Sequence, residues 1–318
     1  MATNRAWQGS SHFRLEQLAQ GVYAAIHVAG GAAICNAGIV DLGDRTLVYD
    51  TFMSPQAAAD LRAAAEALTG RPVRYVVNSH WHSDHTWGNQ VFGPGTEIIA
   101  STETRRIFAA TRGEEDYDGL LATAEAKLES MRARLQAATE PGQRDELALW
   151  VDNYKAVVLA KPILKVRVPN LTFGERLAFH GAERDAELIA FSGGHTASDV
   201  VLLLPREGIA FLSDLLFVEC HPYLGDGDPD GLLSILQTIT ALGLRTVVPG
   251  HGPVGSAESV ALLGRYVLTL DRLAREAVER GEAEAALAAA PIPAPFNAWG
   301  IASFWAANLR FLYQHRLA

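Results

Sequence analysis

The chain has 318 residues, 49% of them hydrophobic and 20% charged, with a formal net charge of -9. This balance belongs to folded globular proteins and excludes the polar, highly charged regime of disordered chains. An acidic chain has no basic stripe for a phosphate backbone or anionic lipid, which argues against nucleic acid and membrane as main partners and leaves a small-molecule substrate. Only Cys35 and Cys220 are cysteines, and a chain of this size needs no disulfide to stabilise it. The N-terminal stretch MATNRAWQGSSHFRLEQ lacks a basic segment followed by an apolar one. No stretch approaches the roughly 18 consecutive apolar residues of a membrane span, so a cytoplasmic protein is expected.

In chain order, GVYAAIHVA, AGIVDL, the Gly43-Asp44 turn and TLVYDT read as a hairpin-rich sheet. From Pro55 to Leu68 the pattern turns helical, Gly70-Arg71-Pro72 stops it, and Val73 to Val77, apolar but for Arg74, is a run suited to a buried strand. Residues 101–165 are charged and helical, with Leu121, Ala124, Leu128, Met131 and Leu135 along one face and a Pro141-Gly142 break before a second helical stretch. This reads as a helical hairpin inserted into a sheet scaffold. It is expected as a lid over the site or a homo-oligomer contact, or more simply as a structural helix pair packed on the body. Strand signals resume at Leu188–Phe191, Val200–Leu204, Ile209–Leu212 and Thr246–Val248. The alanine-rich stretch Glu282–Ala290 reads as a mobile connection, and the tail Trp299–Leu317 as a helix whose aromatics pack on the core.

Chemistry concentrates just past the strand at 73–77. His80-Trp81-His82-Ser83-Asp84-His85 puts three imidazoles and a carboxylate within six residues. Such groups crowded together would repel or stay unsatisfied without a cation, and they are the ligands that zinc and other borderline metals prefer. Trp81, Trp87, His221 and Tyr223 flank the candidate ligands and could line a substrate cleft. For each a structural role competes: Trp87 behind the metal loop, His221 in a turn.

The segment His80, His82, Asp84, His85 resembles the H-x-H-x-D-H signature of the metallo-β-lactamase superfamily. The further motifs follow in order: Asp50 ending a strand, His195 in Ser192-Gly193-Gly194-His195-Thr196, Asp214 in Phe211-Leu212-Ser213-Asp214, and His251 in Pro249-Gly250-His251-Gly252. The resemblance implies an α/β, four-layer αββα sandwich over 1–255, carrying the helical insertion at 101–165, with a helical C-terminal extension over 256–318. It also implies two divalent metal ions, zinc by default with iron or manganese as alternatives. His80, His82 and His195 would hold the first, Asp84, His85 and His251 the second, with Asp214 bridging and Asp50 orienting the metal loop from behind.

By the same resemblance the expected function is a binuclear metal-dependent hydrolase. Two cations sharing a water lower its pKa from about 15.7 toward about 7, so a bridging hydroxide can attack a carbonyl, with Asp84 as the catalytic residue that ligates and orients it. The superfamily's true β-lactamases typically have cysteine or serine where Asp214 stands. An ester, thioester or lactone is therefore favoured as substrate, with weak β-lactam cleavage as a side activity. The alternatives are a mononuclear iron enzyme similar to persulfide dioxygenases and a metal-binding protein without catalysis.

Overall fold

The computed structural model describes residues 7–317; the reading of the N-terminus as leaderless falls partly on 1–6, outside the described residues. The elements are β1 Phe13–Ala19, β2 Val22–His27, β3 Ala37–Asp41, β4 Thr46–Tyr49, α1 Pro55–Thr69, β5 Val73–Val77, α2 Ser83–Thr86, β6 Glu97–Ser101, α3 Thr102–Thr111, α4 Tyr117–Ala137 and α5 Pro141–Ala160. There follow β7 Leu171–Phe173, β8 Arg176–His180, β9 Asp185–Ser192, β10 Ser198–Leu204, β11 Ile209–Phe217, α6 Pro229–Ala241, β12 Thr246–His251, α7 Ala257–Glu279 and α8 Ser303–Leu317.

The strands make two sheets, one ordered β1-β2-β3-β4-β5-β6-β7 and the other β12-β11-β10-β9-β8. The first begins as antiparallel hairpins and turns parallel from β4 onward. The second is antiparallel except for its β11–β12 pair. Because side chains alternate across a strand, β4 and β11 each serve two layers. Leu47 and Tyr49 meet Phe211 and Ile209 between the sheets, while Val48 faces α1 and Leu212 faces the helices on the other side. The helical layers follow from the same logic. Alanines along α1 let it lie close on the first sheet, and α6, α7 and α8 cover the second with a larger core that includes Leu236, Leu263, Tyr266, Leu270, Trp305 and Leu309. At about 1.5–3 kcal/mol for each such side chain fully buried, these three layers of contact are what fix the sandwich. The result is the expected αββα architecture.

The helical insertion departs in detail from its sequence pattern. Of the five residues read as one apolar face of α4, only Ala124 and Leu128 are buried. Its hairpin with α5 docks on Ala32, Met53 and Trp87 through the small residues Ala124, Ala156, Val157 and Ala160. The stretch from Glu282 to Ala290 is not a loose connection, since it forms a short 3-10 helix at Glu284–Ala289 whose Leu287 is buried against the α7–α8 core. Among the described residues no helix is long and apolar enough to cross a membrane.

The topology places the candidate ligands at one edge of the sandwich. β4 and β5 are parallel, so Asp50 and the His80 loop leave the first sheet at the same end. β11 and β12 are parallel as well, which brings Asp214 and His251 together on the second. Polar ties close this edge: the Asn36 side chain donates to the carbonyls of Pro249 (3.0 Å) and Gly252 (2.9 Å), and the Val200 amide donates to the Ser79 carbonyl (2.7 Å).

Candidate metal centre

Four histidines show the same arrangement, with one ring nitrogen tied outward and the other aimed inward. His85 Nδ1 donates to Asp50 Oδ2 (2.8 Å) and His82 Nε2 to Asp226 Oδ2 (2.9 Å). His195 Nδ1 donates to the Tyr223 carbonyl (3.1 Å), and His80 Nδ1 to Ser79 Oγ (2.9 Å), whose own hydrogen goes to Asp50 Oδ2 (2.8 Å). Each outward acceptor fixes the tautomer and leaves a lone pair on the inner nitrogen.

The inner atoms then converge. His80 Nε2 lies 3.0 Å and His195 Nε2 3.1 Å from His82 Nδ1. His85 Nε2 lies 3.4 Å from Asp84 Oδ2 and 3.2 Å from Asp214 Oδ1, and His251 Nε2 lies 3.4 Å from Asp84 Oδ2 and 3.5 Å from Asp214 Oδ2. The donor atoms of His80, His82, His195 and Asp214 are all within 4.8 Å of one another, as are those of His85, Asp214 and His251. Lone pairs and carboxylate oxygens this close repel without a positive charge among them. His85 Nε2 and Asp214 Oδ1 are also fully buried without a hydrogen-bond partner, which is costly unless something absent from the protein itself binds there. A cation bound by these groups satisfies both demands, so the residues fit metal ions.

The electrostatics agree. Burial alone would raise the Asp84 and Asp214 pKa values, yet the facing histidines outweigh it and hold both well below the ordinary carboxylate range. Burial and the neighbouring imidazoles push His80 well below its usual value, and burial brings His195 to about 4, so both favour the neutral form that ligates metal. Burial also acts on His251, but Asp214 and Asp84 prevail and keep it at about 9. Three of the ligands open to solvent, His82 at 16% and Asp84 and His251 at 17% side-chain exposure. A substrate can therefore approach from that side.

Backbone strain gathers in the segments that hold these groups. Asp50, Phe52 and Ser213 all have φ between 48° and 65°, a left-handed conformation that costs a non-glycine residue about 1–2 kcal/mol. Gly250 and Gly252 are required by close approach: a Cβ on the first would meet Asp214 Oδ1, and on the second the Val218 carbonyl.

All seven ligand candidates, His80, His82, Asp84, His85, His195, Asp214 and His251, are brought together, and Asp50 lies directly behind them. Of the residues read as lining a cleft, Trp81 is 6% exposed and packs edge-on to His82 at 4.4 Å, while Tyr223 is 39% exposed and stands 6.4 Å from His82 and His195. Trp87 and His221 lie elsewhere. Trp87 is fully buried behind the metal loop, donating Nε1 to the Arg112 carbonyl at 2.7 Å. His221 is enclosed by Tyr266, Trp299 and Trp305, with Nδ1 3.0 Å from Tyr266 Oη, and has no surface left for a substrate.

Three groups escaped the sequence reading. Asp226 follows a glycine in a stretch that reads only as a turn, yet it orients His82. Glu114 sits on the link between α3 and α4 and accepts a hydrogen bond from Ser83 Oγ; burial pushes its pKa up. Cys35 is buried beside the second group and donates Sγ–H to the Asp84 carbonyl (2.9 Å), with burial pushing the thiol up to about 12. Replacing Asp226 with asparagine should weaken binding of metal at the three-histidine group by about 10–100-fold, the usual effect of losing such a partner. Competition with a coloured chelator measures this; unchanged affinity would mean that Asp226 does not orient His82.

A buried cluster of histidines and aspartates at the edge of an αββα sandwich defines a metallo-hydrolase. Residues 30–251 match the Metallo-beta-lactamase superfamily, and the chain belongs to that family. Its fold is similar to that of a metallo-beta-lactamase from Pontibacter korlensis, with a TM-score of 0.58 and 18% identity over 80% of this chain and 99% of that one. It is likewise similar to the metallo-beta-lactamase FIM-1 from Pseudomonas aeruginosa in its mono-zinc form (TM-score 0.57, 16% identity, 83% of this chain and 98% of that one). A metallo-beta-lactamase from Hirschia baltica matches with a TM-score of 0.56 and 16% identity, over 81% of this chain and 98% of that one.

Proposed function

We propose that the protein is a binuclear metal-dependent hydrolase of esters, thioesters or lactones. The observation that carries this reading is Asp214, whose Oδ2 lies 3.3 Å from His195 Nε2 while its Oδ1 lies 3.2 Å from His85 Nε2. One carboxylate thus faces both groups of histidines, Oδ2 also lying 3.5 Å from His251 Nε2, an arrangement suited to bridging two ions. His80, His82 and His195 would hold the first ion and Asp84, His85 and His251 the second. Zinc suits the nitrogen and oxygen donors, and the similar FIM-1 structure is described in a mono-zinc form. Bound there, the ions would supply Lewis acidity, the chemistry that makes water nucleophilic at neutral pH and stabilises negative charge on a substrate.

The chain's own residues do the positioning. Asp84 is partly open to solvent and lies against both His85 and His251, so it can orient the attacking water as well as ligate. Asp214, common to both groups, would add a negative charge to the centre and so reduce the positive charge available to a departing lactam nitrogen. An alkoxide or thiolate needs less of that help. On a common panel, kcat/KM for some ester, thioester or lactone should exceed that for every penicillin, cephalosporin and carbapenem. A β-lactam leading by tenfold, about 1.4 kcal/mol of transition-state preference, would overturn the substrate class.

A further inference from the structure

Beside the ligands stands a wall built from three separate parts of the chain. Tyr223, on the loop after β11, meets Phe304 of α8 with ring centroids 5.8 Å apart. Phe304 meets Trp150 of α5 edge-on at 6.0 Å, and Trp150 lies 6.4 Å from Tyr154 one turn along. Tyr223 is exposed and the other three are half-buried, so the row begins next to His82 and His195 and presents open aromatic surface.

The wall is held in place at three points along α5. Asp152 accepts from the Gly30 amide (2.6 Å) and Lys155 Nζ donates to the Gly30 carbonyl (2.6 Å), tying α5 to the loop between β2 and β3. Glu146 accepts from the Ser303 amide (3.2 Å), tying it to α8. The insertion and the C-terminal extension therefore meet beside the metal ligands and fix the wall jointly.

Two carboxylates stand near the Tyr223 end of this wall. Glu114 accepts from Ser83, the residue between His82 and Asp84, and Asp226 lies between His82 Nε2 (2.9 Å) and Tyr223 Oη (3.4 Å). The nearby cations are already engaged. Arg112 pairs with Asp118 at 2.8 Å, Lys155 is held by Gly30, and Lys127 Nζ sits 5.6 Å over the Tyr154 ring. Lys127 shows within the protein itself that these rings accept a cation on their faces.

We infer that the Tyr223–Phe304–Trp150–Tyr154 wall and the carboxylates of Glu114 and Asp226 form a substrate subsite that selects a bulky apolar group bearing a neutral or cationic substituent and rejects one bearing an ionised carboxylate. The inference rests on the hydrolase reading and narrows its substrate. Apolar rings favour burial of an apolar group, their faces attract a cation, and the two carboxylates repel an anion placed between them.

Three aryl esters of equal size test this, the ring carrying a neutral, a trimethylammonium or a carboxylate substituent. The cationic ester should exceed the carboxylate ester in kcat/KM by about tenfold or more at low salt, and the ratio should shrink as salt screens the charges. Glu114→Gln should reduce that ratio severalfold, and Trp150→Ala should lower kcat/KM for the cationic aryl ester relative to its acetyl-sized analogue. The corresponding non-hydrolysable amides, titrated by calorimetry into the metal-loaded protein, give the same ranking independently of turnover. Equal binding of the three amides, or preference for the carboxylate, overturns the subsite. Cation-selective binding without turnover of any ester, thioester or lactone supports the subsite and overturns the hydrolase reading instead.

Discussion

Asp214→Ala is expected to lower kcat/KM by at least about a thousandfold while the chain stays folded. Asp214 alone among the candidate ligands faces both histidine groups, at 3.3 Å from His195 and 3.2 Å from His85. In the binuclear reading, losing it would remove the ligand shared by the two sites. Metal stabilisation of a hydrolytic transition state amounts to several kcal/mol, and each 1.36 kcal/mol is a factor of ten in rate. The fold should tolerate the change because β11 is buried along its whole length and paired on both sides. The substitution also removes a buried carboxylate that lacks a partner on Oδ1. His82→Ala should act in the same direction by opening the three-histidine group. Kinetics on the preferred ester, circular dichroism and metal content together check both variants; activity retained with metal unchanged would mean that the ligands are misassigned.

The second large effect belongs to Asp50, which touches no metal. Its two oxygens accept from the Ser79 amide (2.8 Å), Ser79 Oγ (2.8 Å), Ser213 Oγ (2.9 Å) and His85 Nδ1 (2.8 Å), all fully buried. This one side chain joins the β4 end, the His80 loop and β11. Asp50→Ala removes the charged acceptor that these four buried donors share, and breaking a buried charged network of this kind costs about 3–5 kcal/mol. Asp50→Asn keeps the volume but replaces one acceptor by a donor facing other donors, so metal affinity at the His85 group should fall about 10–100-fold. Urea unfolding of the alanine variant and metal titration of the asparagine variant test the two parts. A stability loss under 1 kcal/mol with unchanged affinity would show that the loop holds its shape without Asp50.

How much of this was legible in the sequence depends on the range of the interaction. His80, His82, Asp84 and His85 lie within one loop, so their chemistry is visible as a string. His195 and His251 are legible because each ends or follows an apolar strand beside turn-forming glycines, and Asp214 because its carboxylate interrupts the apolar run of β11. The sheets were readable for the same reason, since Val200–Leu204 is buried on both faces and appears as a continuous apolar run, and Val73–Val77 is apolar but for Arg74. β8 was not: its burial alternates weakly over five residues with one buried.

Residues whose role depends on another segment folding back were hidden. Asp226 acquires meaning only when the loop after β11 meets His82, and Glu114 only when the insertion meets Ser83. Phe304 fits a helix of core-packing aromatics, and it took the position of α5 to leave its ring beside Trp150 and partly open. Trp87 and His221 illustrate the converse: proximity in sequence to ligands does not decide which side of a loop a ring takes, and both turn into the protein.

The central claim is that one chain holds two metal ions, each contacted by Asp214. Elemental analysis of folded protein expressed in metal-supplemented medium tests it most directly. The account predicts about two ions per chain in the native protein and a lower ratio in Asp214→Ala. A native protein that is fully folded and active with one ion, and keeps that ratio when Asp214 is replaced, would contradict it.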